Sequence, residues 1–224
     1  MRSLRFALLA ASLASSLVAS TAFASPTDPK NGVEYVTLAQ PQPVQAVGKK
    51  VEVIEFFMYH CPHCNALEPS FAQWVKKQGD NVVVKRIHLP FSGANDPEAH
   101  LYLTLEALGK VDEMHAKVFK AVHVDRIRLN TDDAIIDWVS KNGVDRAKFL
   151  EAWKSFGVMT KLRRLPQIVS AYKVDGVPTV VIDGKYQTSP AIVYNSVKTN
   201  NEPLLFQATL QVMDALVAKA AKSK

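Results

Sequence analysis

The chain has 224 residues, 48% of them hydrophobic, and its 27 Lys and Arg against 21 Asp and Glu leave a formal net charge of +6. That length and apolar content suit one domain, or a domain with an insertion, around a packed core. So mild a basic excess points away from a nucleic-acid partner, and there is no internal repeat or low-complexity segment.

Residues 1–24 read as a cleaved signal peptide. Arg2 and Arg5 form a positive start, Phe6 to Val18 an apolar stretch broken by serines, and Ala22-Phe23-Ala24 a small-x-small cleavage site. The apolar run is too short to serve comfortably as a membrane anchor. Cleavage removes both arginines and no acid, so the charge falls to +4. An exported chain with two cysteines is expected to carry one disulfide.

Ser25 to Lys50 is rich in proline and polar residues, with a short strand candidate at Tyr35 to Leu38. Val51 to Phe57 has the valine, isoleucine and phenylalanine of a buried central strand, interrupted by Glu55. An acid there costs stability unless it is paired or protonated, and the plain alternative is a carboxylate at a strand edge. Asn65 to Gln78 puts Leu67, Phe71, Trp74 and Val75 at helical spacing. The only cysteines, Cys61 and Cys64, lie at this strand-to-helix junction.

Pro62 suits the first turn of a helix, so Cys61 falls at the N-cap and Cys64 about one turn in. A thiolate on Cys61 then faces unpaired backbone N–H groups and the positive end of the helix dipole, and a protonated His63 adds charge. The expectation is a depressed pKa for Cys61 and an ordinary or raised one for Cys64. Only the reduced form contains the thiolate, so whatever stabilises it makes the disulfide a stronger oxidant.

Asn81 to Leu89 is the next strand. Lys85 and Arg86 are adjacent there and face opposite ways, so at most one points toward Glu55. His88 reads as structural. From Asp96 to Tyr172 the pattern is helical, with Leu101, Leu105 and Leu108 on one face and Met114, Val118 and Phe119 on another. Thr131 or Asp132 caps a helix ended by Asn142-Gly143, a further helix carries Phe149, Leu150 and Trp153, and Pro166 should kink or break a last one. The basic run from Lys161 to Arg164 reads as a solvated face. Val177 to Tyr186 returns to β structure, with Asp183-Gly184 as a hairpin turn. Thr188 to Asn201 is polar and expected to be loop-rich. Pro203 then starts a helix with Leu204, Leu205, Leu210, Met213, Leu216 and Val217 as its core face.

Two stretches, FFMYHCPHC and GVPTVVIDGKY, resemble the DsbA family of periplasmic thiol:disulfide oxidoreductases, with Pro-His between the cysteines as that family's usual pair. The resemblance covers nearly all of the chain after residue 24. It implies an α/β, thioredoxin-like fold with an inserted helical subdomain: residues 25–95 as the first part with the CxxC, 96–172 as the insertion, and 173–224 as the second part. Within it, Cys61 and Cys64 are implied as catalytic, and Pro62 and His63 as redox-tuning.

Glu55 is implied as a buried acid passing protons to Cys64, and Glu68 as a second acid. Lys85 is the candidate partner for these acids because the family usually has a lysine there, with Arg86 open as the alternative. Val177 and a cis Pro178 are implied to bind substrate. That family is itself a standard example of a low-pKa, strongly oxidising pair, so this behaviour is implied by resemblance rather than derived from the spacing.

The implied reaction donates the Cys61/Cys64 disulfide to reduced, newly exported proteins through a mixed disulfide, with no cofactor beyond that disulfide. The implied partners are reduced secreted proteins or peptides with cysteines and the quinone-linked membrane oxidase DsbB, with no nucleic acid, and the chain acts as a monomer in the periplasm. Rival readings are a disulfide isomerase or reductase, and a chaperone-like peptide-binding protein with a structural disulfide. Metal binding through Cys61, His63 and Cys64 is disfavoured because no second cluster completes a tetrahedral site.

Overall fold

A computed structural model describes residues 25–224, so the predicted signal peptide lies outside the described residues. A five-stranded sheet in the order β1-β5-β4-β2-β3 forms the frame. Its central strand β2 (Val51–Phe57) is buried at every position. It runs parallel to β3 (Val82–His88) and antiparallel to β4 (Thr179–Ile182). The two-residue β1 (Val36–Thr37) closes the far edge on β5 (Tyr186–Thr188).

Side chains alternate along β2, and each face has its own cover. Val51 and Val53 pack under helix α1 (Pro62–Gln78) and the C-terminal helix α8 (Glu202–Ala221), whose Phe206, Val212, Met213 and Leu216 are buried. By length and composition α8 is apolar enough to cross a membrane, but its apolar face belongs to this core. Ile54 and Phe56 pack on the opposite face with Leu38, Tyr172 and Val181. Glu55 therefore lies in a central strand, not at an edge, and it faces α1.

Between β3 and β4 the chain forms α2 (Pro97–Ala107), α3 (Val111–His123), α4 (Asp132–Lys141), α5 (Arg146–Trp153) and α6 (Phe156–Ala171). Four of these starts are set by side-chain caps from Asp96, Thr131, Asp145 and Ser155, each accepting a backbone N–H three residues on. Their apolar faces form one core with Phe57 and Tyr59 from the end of β2.

Two local expectations need correction. Helix α6 runs without interruption through Pro166. The ring is on the exposed side while Leu162 and Leu165 anchor the other, so packing outweighs the lost backbone bond. The stretch from Thr188 to Asn201 is also not simply loop. Thr188 ends β5, and Ser189 caps α7 (Pro190–Val197), accepting from the N–H of Ile192 with Pro190 at the first turn.

The β4–β5 turn is tightly specified. Asp183 and Gly184 both have positive φ, and a Cβ on Gly184 would lie 2.2 Å from the carbonyl oxygen of Gln42. Only glycine fits that approach.

Candidate active site

Cys61 is the N-cap of α1, and Pro62 occupies its first turn. The extended backbone of Cys61 (φ −77°, ψ 117°) aims its sulfur back over the helix end, where it accepts the N–H of Cys64 at 3.4 Å. Both cysteines are free thiols. Cys61 keeps 6% of its surface exposed and Cys64 none, so Cys61 is the sulfur that a second molecule can reach.

The pair divides one proton unequally. A hydrogen bond from the Cys64 thiol does most to bring the Cys61 pKa down to about 6; burial opposes it, while the N–H groups of Cys64 and His63 and the His63 charge add to the lowering. The same bond, then burial, pushes the Cys64 thiol far up. His63, exposed on the first turn, is held by Glu202 of α8 at 2.5 Å.

A chain of buried and half-buried polar groups links β2, β3, α1 and α3. The parallel register sets Glu55 beside Arg86. The Arg86 Nε donates to Glu55 at 2.9 Å and its Nη2 to Glu68 of α1 at 3.1 Å. Glu68 in turn lies 3.5 Å from His115 of α3, whose Nδ1 is 3.1 Å from the Tyr59 hydroxyl. Burial raises Glu55 to about pH 7, against the opposing pull of the Arg86 charge. The Glu55 charge is felt at Cys64, whose thiol it raises. Burial also pushes His115 down, which favours its neutral form.

Lys85 is not part of this group. One residue along β3 it faces the other side of the sheet, donating to Glu52 at 2.6 Å and Gln45 at 2.8 Å. The alternation of the strand is the reason, and it gives the acid-pairing position to Arg86.

Across from α1, the Val177–Pro178 peptide bond is cis, and the Val177 carbonyl oxygen lies 3.6 Å from Cys61 Sγ. Both residues line a groove of about 500 Å³ with His63, Pro190, Tyr194 and Phe206. The groove needs α7, which supplies Pro190 and Tyr194, so the helix missing from the sequence reading forms one wall.

Sequence reasoning also missed His60 and Glu98. The Glu98 carboxylate accepts the backbone N–H of His60 at 3.2 Å and is 2.6 Å from its Nδ1. Although burial opposes ionisation, the hydrogen bond to His60, with the His88 ring 3.7 Å away, holds the Glu98 carboxyl down at about 2. His88 is buried and accepts the N–H of Tyr59 at 3.1 Å, consistent with a structural role. No local pattern could have paired positions 38 apart in sequence. Among the described residues, no group of three or more His, Cys, Asp or Glu side chains is arranged to hold a metal ion.

A family model for the DSBA-like thioredoxin domain matches residues 52–198. The thiol:disulfide interchange protein DsbA of Burkholderia cepacia is 40% identical over 208 residues, 93% of each chain. The same-named protein of Pseudomonas aeruginosa strain PAO1 is 38% identical over 156 residues, 70% of this chain and 74% of that one. The crystal structure of Pseudomonas aeruginosa DsbA superposes with a TM-score of 0.75 at 34% identity, covering 86% of this chain and 96% of the other. The oxidoreductase DsbA of Xylella fastidiosa gives 0.72 at 25% identity, covering 85% and 97%.

Proposed function

The chain belongs to the DsbA-like thioredoxin family, and from that premise we propose that Cys61 and Cys64 are the redox pair through which this thiol:disulfide oxidoreductase oxidises other proteins. The observation that carries this reading is the asymmetry of the pair. One sulfur, at a helix N-cap, is slightly exposed with a depressed pKa, while the other is sealed with a raised one.

In the oxidised protein, a substrate thiolate attacks Cys61 Sγ. A bond forms between the substrate sulfur and Cys61, the Cys61–Cys64 bond breaks, and Cys64 leaves as a thiolate. Cys64 then needs a proton, because its buried anion is strongly disfavoured. Glu55, raised to about 7 and buried on the α1 side of the sheet, is the proposed donor. Arg86 and Glu68 are its positioning groups. The second substrate thiolate attacks the substrate sulfur of the mixed disulfide, the substrate disulfide forms, and Cys61 departs as the stabilised thiolate. Two electrons move from substrate to protein. Of the two substrate thiol protons, one ends on Cys64 and the other in solvent. Pro62 and His63 tune this centre, Pro62 through the helix start and His63 through its charge.

Val177 and Pro178 are the proposed substrate platform. An extended peptide that places its cysteine at Cys61 can use the backbone groups of Val177 in a form of strand addition. The redox centre is the pair's own disulfide. In this reading the substrates are reduced secreted proteins in the periplasm, the chain acts as a monomer, and a DsbB-type quinone-linked membrane oxidase restores the disulfide.

The test is single turnover of the oxidised protein with a reduced peptide containing two cysteines, quenched with acid and resolved by mass. The reading expects a mixed disulfide on Cys61 and full oxidation of the peptide. A mixed disulfide carried on Cys64, or none in a protein whose disulfide is intact, contradicts it.

A further inference from the structure

A second and larger cleft of about 760 Å³ includes His60 and shares no lining residue with the Val177 groove, which includes His63 on the other side of Cys61 in sequence. It begins at His60, one residue before the nucleophile, and is bounded by the segment that follows α3 and by the loop carrying Phe91. The His60 ring packs edge-on against Phe91 at 5.3 Å between centroids, and Phe91 itself is 73% exposed. Ile127 adds a second exposed apolar side chain.

The charges in this cleft do not balance. Its two carboxylates are committed inward: Asp96 accepts from Ser92 and from the N–H of Ala99, and Glu98 accepts from His60. Arg126 and Arg128 are both exposed, and neither has a carboxylate within ion-pair distance among the described residues. The N–H of Ile127, between them, donates to the Ala121 carbonyl at 2.8 Å and ties the segment to the end of α3. What remains on offer is two guanidinium groups beside an apolar ledge. Guanidinium forks pair with carboxylates in planar, two-point geometry.

We propose that this cleft is a second substrate subsite, which takes acidic residues of an extended polypeptide on one side of its reacting cysteine. It rests on the exchange reaction proposed above and adds a selectivity to it. A peptide held at Val177 crosses Cys61 and must continue beyond the active-site loop on the His60 side. There its next side chains meet Phe91, Ile127 and the two arginines. Aspartate or glutamate at those positions gains two cationic partners, and lysine meets repulsion. The selectivity concerns which cysteine of an unfolded chain reacts first, and it leaves the redox chemistry of the pair unaltered.

The experiment uses the oxidised protein and short peptides with one cysteine, flanked by aspartates, glycines or lysines on either the N-terminal or the C-terminal side. The rate of mixed-disulfide formation is read by acid quench and mass at low ionic strength. Acidic neighbours also raise a peptide's own thiol pKa, so the deciding quantity is the ratio of aspartate to lysine rates in different forms of the protein. For one of the two sides, that ratio is expected to be roughly tenfold higher in the wild type than in an Arg126→Glu, Arg128→Glu variant, with Arg126→Gln, Arg128→Gln between them. Both arginines are exposed, and a ratio taken within each protein cancels any general change in reactivity. Ratios equal in all three proteins on both sides overturn the subsite while leaving the exchange reading intact. Failure of even the glycine peptides to react with wild type overturns the exchange reading and the subsite with it.

Discussion

At the scale of single residues, the proposed chemistry rests on how protons are shared between Cys61, Cys64 and Glu55. With Cys61 at about 6, its thiolate stabilises the reduced protein at pH 7 by about 1.4 kcal/mol, or about 30 mV for two electrons. The reduction potential should therefore fall by about 60 mV per pH unit below pH 6, where two protons accompany two electrons, and by about 30 mV above it. Glutathione equilibration across that range measures the break, and a uniform slope up to pH 8 would place the Cys61 pKa much higher.

His63 ranks behind the Cys64 thiol and the local N–H groups in lowering Cys61. His63→Ser should accordingly lower the potential, by less than the contribution of the whole site. Glu55 has the opposite sign. Its folded pKa is raised, so its contribution to stability is complete below the unfolded value near 4.5 and is lost as pH rises through about 7. Denaturant unfolding at pH 5 and pH 8 should show wild type losing on the order of 2–3 kcal/mol relative to Glu55→Gln. Equal pH dependence in the two proteins would mean that Glu55 ionises normally. The same variant should slow protonation of Cys64 and hence the exchange.

At the scale of elements, Arg86 joins β3 to β2 through Glu55 and to α1 through Glu68. Arg86→Met leaves the buried Glu55 and the half-buried Glu68 without their cation and is expected to cost about 3–5 kcal/mol, with the Glu55 pKa moving further up. Lys85→Met acts on the other face of the sheet, at Glu52, and should leave thiol titration and exchange rates as in wild type. Thiol titration of both variants checks the pair, and an effect of Lys85 equal to that of Arg86 would contradict the division of the two faces.

Strand alternation told that only one of these neighbours could face Glu55, but the sequence has no signal for which one. That choice depends on the register of β3 against β2, a pairing 31 residues apart for Glu55 and Arg86. The α1 start was legible because Cys61, Pro62 and the apolar spacing are all local. Helix α7 was not, because its eight residues give too little periodicity to outweigh the polar stretch around them, although Ser189-Pro190 was a usable start signal. Likewise Pro166 signalled a break that the buried side of α6 overrides.

At the scale of the whole molecule, β2 hands its last residues to the helical layer. Phe57 and Tyr59 pack edge-on, 5.1 Å between ring centroids, and Tyr59 also meets Phe119 of α3 at 5.3 Å. Sheet and helices thereby share the short loop from Met58 to Cys61, whose His60 lines the larger cleft, while His63, two residues beyond Cys61, lines the Val177 groove. The position of the cysteines at a strand-to-helix junction and the helical stretch between strands could be read from apolar runs and helix caps, while the layered fold came from the family resemblance. The second cleft could not, since His60, Phe91 and Arg128 come from three separate stretches of chain that only the tertiary fold assembles.

The central claim is that this pair is built to give its disulfide away. The most direct test is the Cys61–Cys64 reduction potential at pH 7, by equilibration with glutathione buffers and thiol trapping. A potential well above that of the glutathione couple is expected, with oxidised glutathione able to load the pair only weakly. A value near that of a reducing thioredoxin would contradict the account and reverse the direction of electron flow.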